Sequence, residues 1–162
     1  AEQTYPGSFR VHVGVANLTA TRGEHDAALA AMARAQALVA GTPQGAAARV
    51  HRLALLCRAG RPAPEAVLAR LEAEALANRP YSVDALRWLV EAAEQTGCPG
   101  LDLGRIAAAL EDAGDSITSA NREWHLHHLL GRLYRLAGEP ARARRHEDRA
   151  AALLEMVTSP SP

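Results

Sequence analysis

The sequence predicts an all-α protein of eight helices, paired as four antiparallel hairpins that stack side by side. Apolar residues recur at intervals of three and four, which is typical of one face of a helix. Four glycines each end one apolar helical stretch and precede the next, at intervals of 37, 37 and 41 residues: Gly23, Gly60, Gly97 and Gly138. Such regular spacing indicates an internal repeat. The only stretch that alternates like a strand, residues 11–15, is short and is needed as a helix by the first hairpin.

The first two hairpins are predicted at about residues 8–40 and 45–78. In each, glycine supplies the left-handed residue with which a helix ends, and Pro or acidic residues suit the start of the next helix. Each hairpin carries an apolar stripe, such as Leu29, Met32 and Val39, that it can bury only against a neighbour. The predicted helices are 8–21, 25–40, 45–59 and 64–78.

The last two hairpins are predicted at about residues 82–113 and 119–157. The third has a longer turn, "CPGLDLG", and a short second helix. The fourth has a three-residue turn, "AGE", between two long apolar-periodic stretches. The predicted helices are 82–96, 102–113, 119–137 and 140–157.

Length and composition indicate one globular domain, predicted at residues 1–157 and followed by a flexible tail at 158–162. The 162 residues are 48% hydrophobic, and the formal net charge is zero. Since nucleic-acid binding depends on neutralising many phosphates, we expect no nucleic-acid partner. No apolar run approaches the roughly twenty residues of a membrane-spanning helix, and no signal peptide is evident. Because the chain begins without Met, we expect a processed form or a piece of a longer protein.

Small residues stand where paired helices would touch and large residues stand between them, most regularly in the last hairpin. That hairpin has Leu130, Gly131, Tyr134, Gly138, Ala143 and Ala150, and the first has Ala16, Gly23 and Ala28. In this spacing the chain resembles tetratricopeptide repeats, and the third hairpin departs most from the pattern. The resemblance implies a right-handed superhelix whose first helices line a concave groove. Such a groove would hold a partner protein or peptide, without enzymatic activity.

The "CPGLD" turn and the general layout are also similar to soluble repeat regions that bacteria attach to membrane proteins of the cell envelope. This second resemblance implies a bacterial protein that is periplasmic or membrane-attached, although the localisation stays open. Any membrane association would then occur through a fused or partner protein.

The predicted groove surface comes from the inner faces of the first helices. Its candidate partner-binding residues are Arg10, Asn17, Arg87, His125, His128, Arg132 and Arg135, with Val13 in the first copy and Asp84, Glu91 and Glu94 in the third. Because arginine forks pair with carboxylates, the basic end would hold an acidic segment of the partner. The alternative is an ordinary solvated helix face.

Two other functions stay open from the sequence. One is a regulatory domain that senses a ligand or peptide and is fused to an effector. The other is a metal-dependent enzyme in which His125 and His128, with His146 approaching from the next helix, hold an ion. A zinc site needs further well-placed ligands and a second shell, so we predict no metal, cofactor or catalytic residue.

Several residues have two interpretations. Cys57 and Cys98 lie near ends of equivalent helices, so a disulfide is conceivable, but the usual 8 to 10 Å between helix axes argues against one. Trp88 and Trp124 are expected to fill the core. The charged run at residues 142–149 is expected to form pairs within its own helix. The poorly covered first helix leaves a homodimer open.

Overall fold

A computed structural model describes residues 6–42, 44–76, 83–113 and 120–159. Over these ranges the chain forms eight helices and no strand, which confirms the all-α class. The helices are α1 (Pro6–Thr21), α2 (His25–Leu38), α3 (Gln44–Arg58), α4 (Glu65–Leu76), α5 (Val83–Thr96), α6 (Leu103–Ala113), α7 (Ala120–Leu136) and α8 (Pro140–Thr158).

All eight predicted helices are present, and their ends agree to within two residues wherever they lie in the described ranges. Thr158, the first residue of the predicted tail, is the last residue of α8, and residues 160–162 lie outside the described part of the chain. The predicted helix ends at 78, 82 and 119 also lie outside it. No described helix has the combination of length and apolar character that crossing a membrane requires.

Three of the four turn glycines end their helices in the same way. Gly23, Gly60 and Gly138 have φ values of 77°, 64° and 77°. In each case the residue after the glycine donates its backbone N–H to a carbonyl five positions back, as Glu139 does to Tyr134 at 2.9 Å. This pattern satisfies carbonyls that the helix end would leave unpaired. The sequence prediction for these turns is confirmed.

The turn after α5 is different. Gly97 has a φ of 73°, and the next residue, Cys98, is also left-handed at 47°. The Thr96 hydroxyl stabilises this arrangement, because it donates to the carbonyl of Ala92 at 2.9 Å and accepts the N–H of Cys98 at 3.2 Å. Two successive left-handed residues turn the chain sharply towards α3.

Cys57 and Cys98 are joined by a disulfide, with their Cα atoms 4.6 Å apart. The expectation from helix-axis spacing that these cysteines lie too far apart to bond was wrong, because Cys98 lies in the left-handed turn and not on a helix. The turn also approaches the α3–α4 loop: a Cβ on Gly100 would lie 2.7 Å from the backbone nitrogen of Pro62. The second and third hairpins are therefore linked at this end.

The odd-numbered helices lie next to one another in chain order, and α3 is at the centre. One face of α3, including Ala48 and Leu55, belongs to a core cluster with α1 and α2. Other α3 residues, including Val50 and Leu53, belong to a larger cluster that continues through α4, α5, α6 and α7. Because α3 is buried on two sides, it joins the first hairpin to the rest.

The hairpins pack in two ways. In the outer hairpins α1 packs on α2 and α7 on α8, whereas in the middle α3 packs chiefly on α5 and α4 on α6. The small residues expected at helix contacts are buried: Ala16, Ala28, Gly131, Ala143 and Ala150. A Cβ on Gly131 would lie 3.3 Å from the carbonyl oxygen of Ala143, so α7 and α8 lie close together there. Leu130 and Tyr134 fill the adjacent core.

Candidate binding groove

A groove of about 840 Å³ crosses three odd-numbered helices. It is lined by Phe9, Arg10, Val13, Gly14 and Asn17 of α1, by Gln44, Ala47 and His51 of α3, and by Asp84 and Trp88 of α5. The groove forms across these helices because α3 lies between α1 and α5 and contacts both. The sequence-predicted residues Arg10, Val13, Asn17 and Asp84 therefore come together here.

The groove wall combines hydrogen-bonding groups with apolar surface. Asn17 and Gln44 carry amides that can both donate and accept, as the backbone of an extended peptide requires. Arg10 is exposed and forms no ion pair with any described residue. Phe9 and Val13 supply partly buried apolar surface. The surface can therefore hold a segment by its backbone and by its side chains.

Asp84 gives the α5 side of the groove a negative charge opposite Arg10. Its carboxylate is 80% exposed and lies 4.0 Å from the guanidinium of Arg87, one turn further along α5. At that distance, and at that exposure, the pair contributes little to stability. The groove therefore presents a cation on α1 and an anion on α5.

His51 lies in the wall of the groove and is half-buried. Burial lowers its pKa, and the nearby charge of Asp84 opposes that effect only in part. His51 is therefore neutral near pH 7, where it offers one donor and one acceptor. His51 was not predicted from the sequence, because groove positions were predicted only in the first, third and fourth copies. Gly14 of α1 also lines the groove, and His51 follows it by 37 residues, which is the repeat interval. Applying that interval to the first copy would have predicted His51 as a groove residue.

The two tryptophans have different surroundings. Trp88 packs against the larger core cluster, as expected, and also lines the groove. The guanidinium carbon of Arg58 lies 5.2 Å from the centre of its ring, a cation–π contact that holds the indole in place. Trp124 is half-buried and stacks on His128 with ring centres 5.7 Å apart.

The predicted arginines of the last hairpin are already engaged by carboxylates. Arg132 donates to both oxygens of Glu94 on α5, at 2.8 and 2.6 Å. Arg135 donates to Glu147 on α8, with its shortest contact at 2.5 Å. Neither arginine lines the groove of α1, α3 and α5. The positive charge of the predicted basic end is thus compensated by carboxylates of the same chain, Glu94 and Glu147.

The charged run at 142–149 pairs mainly across helices. Arg145 contacts Glu111 of α6 at 2.7 Å, and Arg149 contacts Glu123 of α7 at 2.8 Å. Among the described residues, this run's nearest approach to a pair within one helix is the 3.4 Å contact of Arg142 with Glu139, the residue that precedes α8. The prediction was wrong in the main because α8 packs along α7, which brings carboxylates of other helices within reach of its arginines.

His146 does not approach His125 and His128, so that part of the metal hypothesis was wrong. It is buried, and its Nδ1 lies 2.7 Å from Nδ1 of His127, on a different face of α7. Successive helical residues point about 100° apart, so α8 meets His127 and not His128. Within the described ranges no three His, Cys, Asp or Glu side chains are placed to hold a metal ion.

Burial lowers the pKa of His125, and the nearby charges of Arg87 and His128 act in the same direction. The ring of His125 packs against Trp124, with centres 4.1 Å apart. His125, His128 and Arg87 therefore lie near one another on α5 and α7, beside the groove but outside its lining.

A buried polar cluster joins α6, α7 and α8. The Tyr134 hydroxyl donates to Oε2 of Glu111, and Nε2 of His146 lies 3.2 Å from Oε1 of the same carboxylate. Glu111 and His146 were not singled out as partners from the sequence, because 35 residues separate them. Only the packing of three helices brings them together.

Comparisons of this chain with protein-family models, with curated proteins and with solved structures found no match. These comparisons therefore give no support to the resemblance to tetratricopeptide repeats, which depends on the spacing of residues in the sequence. The described part of the chain is an all-α assembly of eight helices with a groove across α1, α3 and α5.

Proposed function

We propose that the protein is a tetratricopeptide-like, non-enzymatic binding module that holds an extended segment of a partner protein in the groove of α1, α3 and α5. The observation that carries the proposal is the lining of this groove. Amides, aromatic surface and one cation that pairs with no described residue come from three successive hairpins and face one continuous space of about 840 Å³.

The dimensions suit a short peptide segment. Neighbouring helix axes lie about 8–10 Å apart, so a segment that crosses three helices spans about 20 Å, or about six extended residues. Asn17 and Gln44 are suited to its backbone, and Trp88 to one large apolar side chain.

Charge indicates the orientation of the segment. Arg10 forms no ion pair with described residues and suits an acidic side chain near α1. Asp84 suits a basic or donor group near α5. We therefore propose an acidic group at one end of the bound segment, with Arg10 in the role that the sequence had assigned to Arg132 and Arg135.

The disulfide bears on where such a module works. Disulfides persist in oxidising compartments and are rare in the cytosol. The bond between Cys57 and Cys98 thus supports an oxidising compartment for the proposed function, and we propose the bacterial periplasm as that compartment.

The test is selection of peptides from a random display library. We expect wild-type protein to enrich peptides with an acidic residue, and Arg10→Glu or Asn17→Ala to lose them. The matched control is Arg144→Glu on α8, since Arg144 is exposed, pairs with no described residue and lies outside the groove. Circular dichroism establishes that each variant is folded.

Binding of a selected peptide is then measured through tryptophan fluorescence in a Trp124→Phe background, where Trp88 is the only indole. We expect a saturable change in Trp88 emission. Enrichment of no peptide sequence, or equal binding by wild type and both groove variants, would rule out this groove as the peptide site.

A further inference from the structure

Arg58 lies in the last turn of α3, next to the groove of α1, α3 and α5. The carbon of its guanidinium lies 5.2 Å from the centre of the Trp88 ring, and Trp88 lines the groove. Arg58 follows His51, another lining residue, by seven positions, which is about two helical turns. Both residues therefore start from the same face of α3, and Arg58 extends the groove surface towards the C-terminal end of that helix.

The guanidinium of Arg58 has no acceptor among the described residues. The side chain is half-buried, and its Nε–H is enclosed by protein without a hydrogen-bond partner. Arg58 also forms no ion pair in the described part of the chain. A buried donor without an acceptor costs free energy, and a ligand that supplies the acceptor removes that cost.

The acidic residues on α5 leave this cation uncompensated. Asp84 and Glu91 lie one turn before and one turn after Trp88, and neither forms an ion pair with Arg58. Asp84 instead lies 4.0 Å from Arg87.

The contact with Trp88 also leaves the donors of Arg58 free. A guanidinium that stacks on a ring uses its face, whereas its N–H groups point outwards in its own plane. The fork can therefore pair with an anion while the indole holds it from one side.

We propose that Arg58 binds a carboxylate of the segment that occupies the groove, beside the apolar side chain that contacts Trp88. Arg58 would then hold a second anionic group of the segment besides the one that faces Arg10, a role that rests on the proposed function. Guanidinium and carboxylate form charge-assisted bonds that are often bidentate. Because Trp88 orients the fork before the ligand arrives, less conformational freedom is lost on binding.

The carboxylate has two possible sources, an acidic side chain or the C-terminus of the partner. The probes are the peptides that wild-type protein selects from the display library, synthesised and titrated by calorimetry into the whole chain. One series replaces each Asp or Glu by Asn or Gln, and another converts the C-terminal carboxylate into an amide. One change, at a position other than the one that depends on Arg10, should weaken wild-type binding about tenfold or more and identify the source.

Arg58→Gln should bind the carboxylate and amide forms of that peptide equally, and as weakly as wild type binds the amide form. If Arg58 only placed Trp88, the variant would bind both forms more weakly and keep the difference between them. The matched control, Arg144→Gln on α8, should give wild-type values. Arg58→Met, which keeps an unbranched chain against Trp88, takes the place of Arg58→Gln if circular dichroism shows that the latter is unfolded.

The outcomes separate the role of Arg58 from the function of the groove. If Arg10→Glu loses the selected peptides but Arg58→Gln binds them as wild type does, the role of Arg58 is overturned and the peptide groove stands. A difference between carboxylate and amide forms that persists in Arg58→Gln, or wild-type binding that no second carboxylate affects, overturns it as well. Selection of no peptide by the wild-type protein overturns both.

Discussion

Two imidazoles, His127 and His146, face each other inside the last hairpin through their Nδ1 atoms. At most one proton can lie between these nitrogens, so a neutral pair satisfies the contact and a doubly charged pair does not. Burial lowers the pKa of both side chains. For His127 the neighbouring His146 adds to the effect, whereas for His146 the Glu111 carboxylate opposes it.

This arrangement predicts a loss of stability in mild acid. As the pH falls below the ordinary imidazole value of 6.5, the unfolded chain takes up protons that the folded pair does not. The free energy of unfolding should therefore decrease from neutral pH towards the lowered pKa values of the folded pair. Urea unfolding followed by circular dichroism over this pH range measures the effect.

His127→Gln should flatten that dependence, because it removes one titrating ring and one partner of the contact. His128→Gln, which changes the neighbouring exposed imidazole, is the matched control and should keep the wild-type slope. A wild-type stability that stays constant from pH 7 to below 6.5, the ordinary imidazole value, would contradict the assigned cause.

Glu111 shows how burial and pairing compete at one carboxylate. Burial alone would raise its pKa, but the hydrogen bond from Tyr134 and the charges of His146 and Arg145 together hold it below its usual value. Burial and the Glu111 carboxylate in turn raise the pKa of Tyr134. The cluster therefore stays as an ionised carboxylate with a neutral phenol at physiological pH.

At the scale of elements, the α5–α6 turn determines how the middle hairpins meet. Asp102 caps α6 by accepting the N–H of Arg105 at 3.0 Å. The Arg105 side chain then pairs with Glu65 and Glu72 of α4, at 2.7 and 2.5 Å. A short turn would not place α6 beside α4. The long "CPGLD" turn thus allows α6 of the third hairpin to contact α4 of the second.

Gly100 in this turn should not tolerate a side chain. Its Cβ would lie 2.7 to 2.9 Å from backbone atoms of Arg61 and Pro62. Because a backbone does not yield as a flexible side chain does, Gly100→Ala should lower the free energy of unfolding by about 1–3 kcal/mol. Urea denaturation of the oxidised protein provides the measurement.

Gly14→Ala is the matched control for that substitution. Gly14 lies inside α1, and a Cβ there would meet no atom within 4 Å. Alanine should therefore stabilise the helix by up to about 1 kcal/mol. Equal effects of the two substitutions would show that the loops do not approach as closely as described.

At the scale of the whole molecule, the disulfide joins residues 41 positions apart and closes a loop that contains the whole of α4 and α5. The entropy that a bond of this span removes from the unfolded chain corresponds to a stabilisation of the folded state by about 4 kcal/mol. Typical disulfides stabilise proteins by about 2–4 kcal/mol. We expect reduction to lower the free energy of unfolding by an amount in this range.

Unfolding in urea with and without reductant tests the prediction. The Cys57→Ala/Cys98→Ala double variant is the control, since reductant should not change its stability. Two thiols that react in the folded, unreduced protein would disprove the bond.

Local patterns in the sequence define the helices of this protein. Apolar periodicity located all eight helices, because each helix must bury one stripe, and Gly23, Gly60 and Gly138 marked helix ends because few other residues adopt their backbone conformation. It also selected Arg10 and Asn17, whose groove positions follow from helix phase.

Only the tertiary structure decided which surfaces and charges meet. Arg132 donates hydrogen bonds to Glu94, His146 contacts His127, and Cys98 forms a disulfide with Cys57. These contacts depend on the distance between helices and on the rotation of each helix about its axis. Both are set by how the side chains of all the helices pack together. A pattern along one helix defines its buried face, whereas the partner of that face is fixed by the whole assembly.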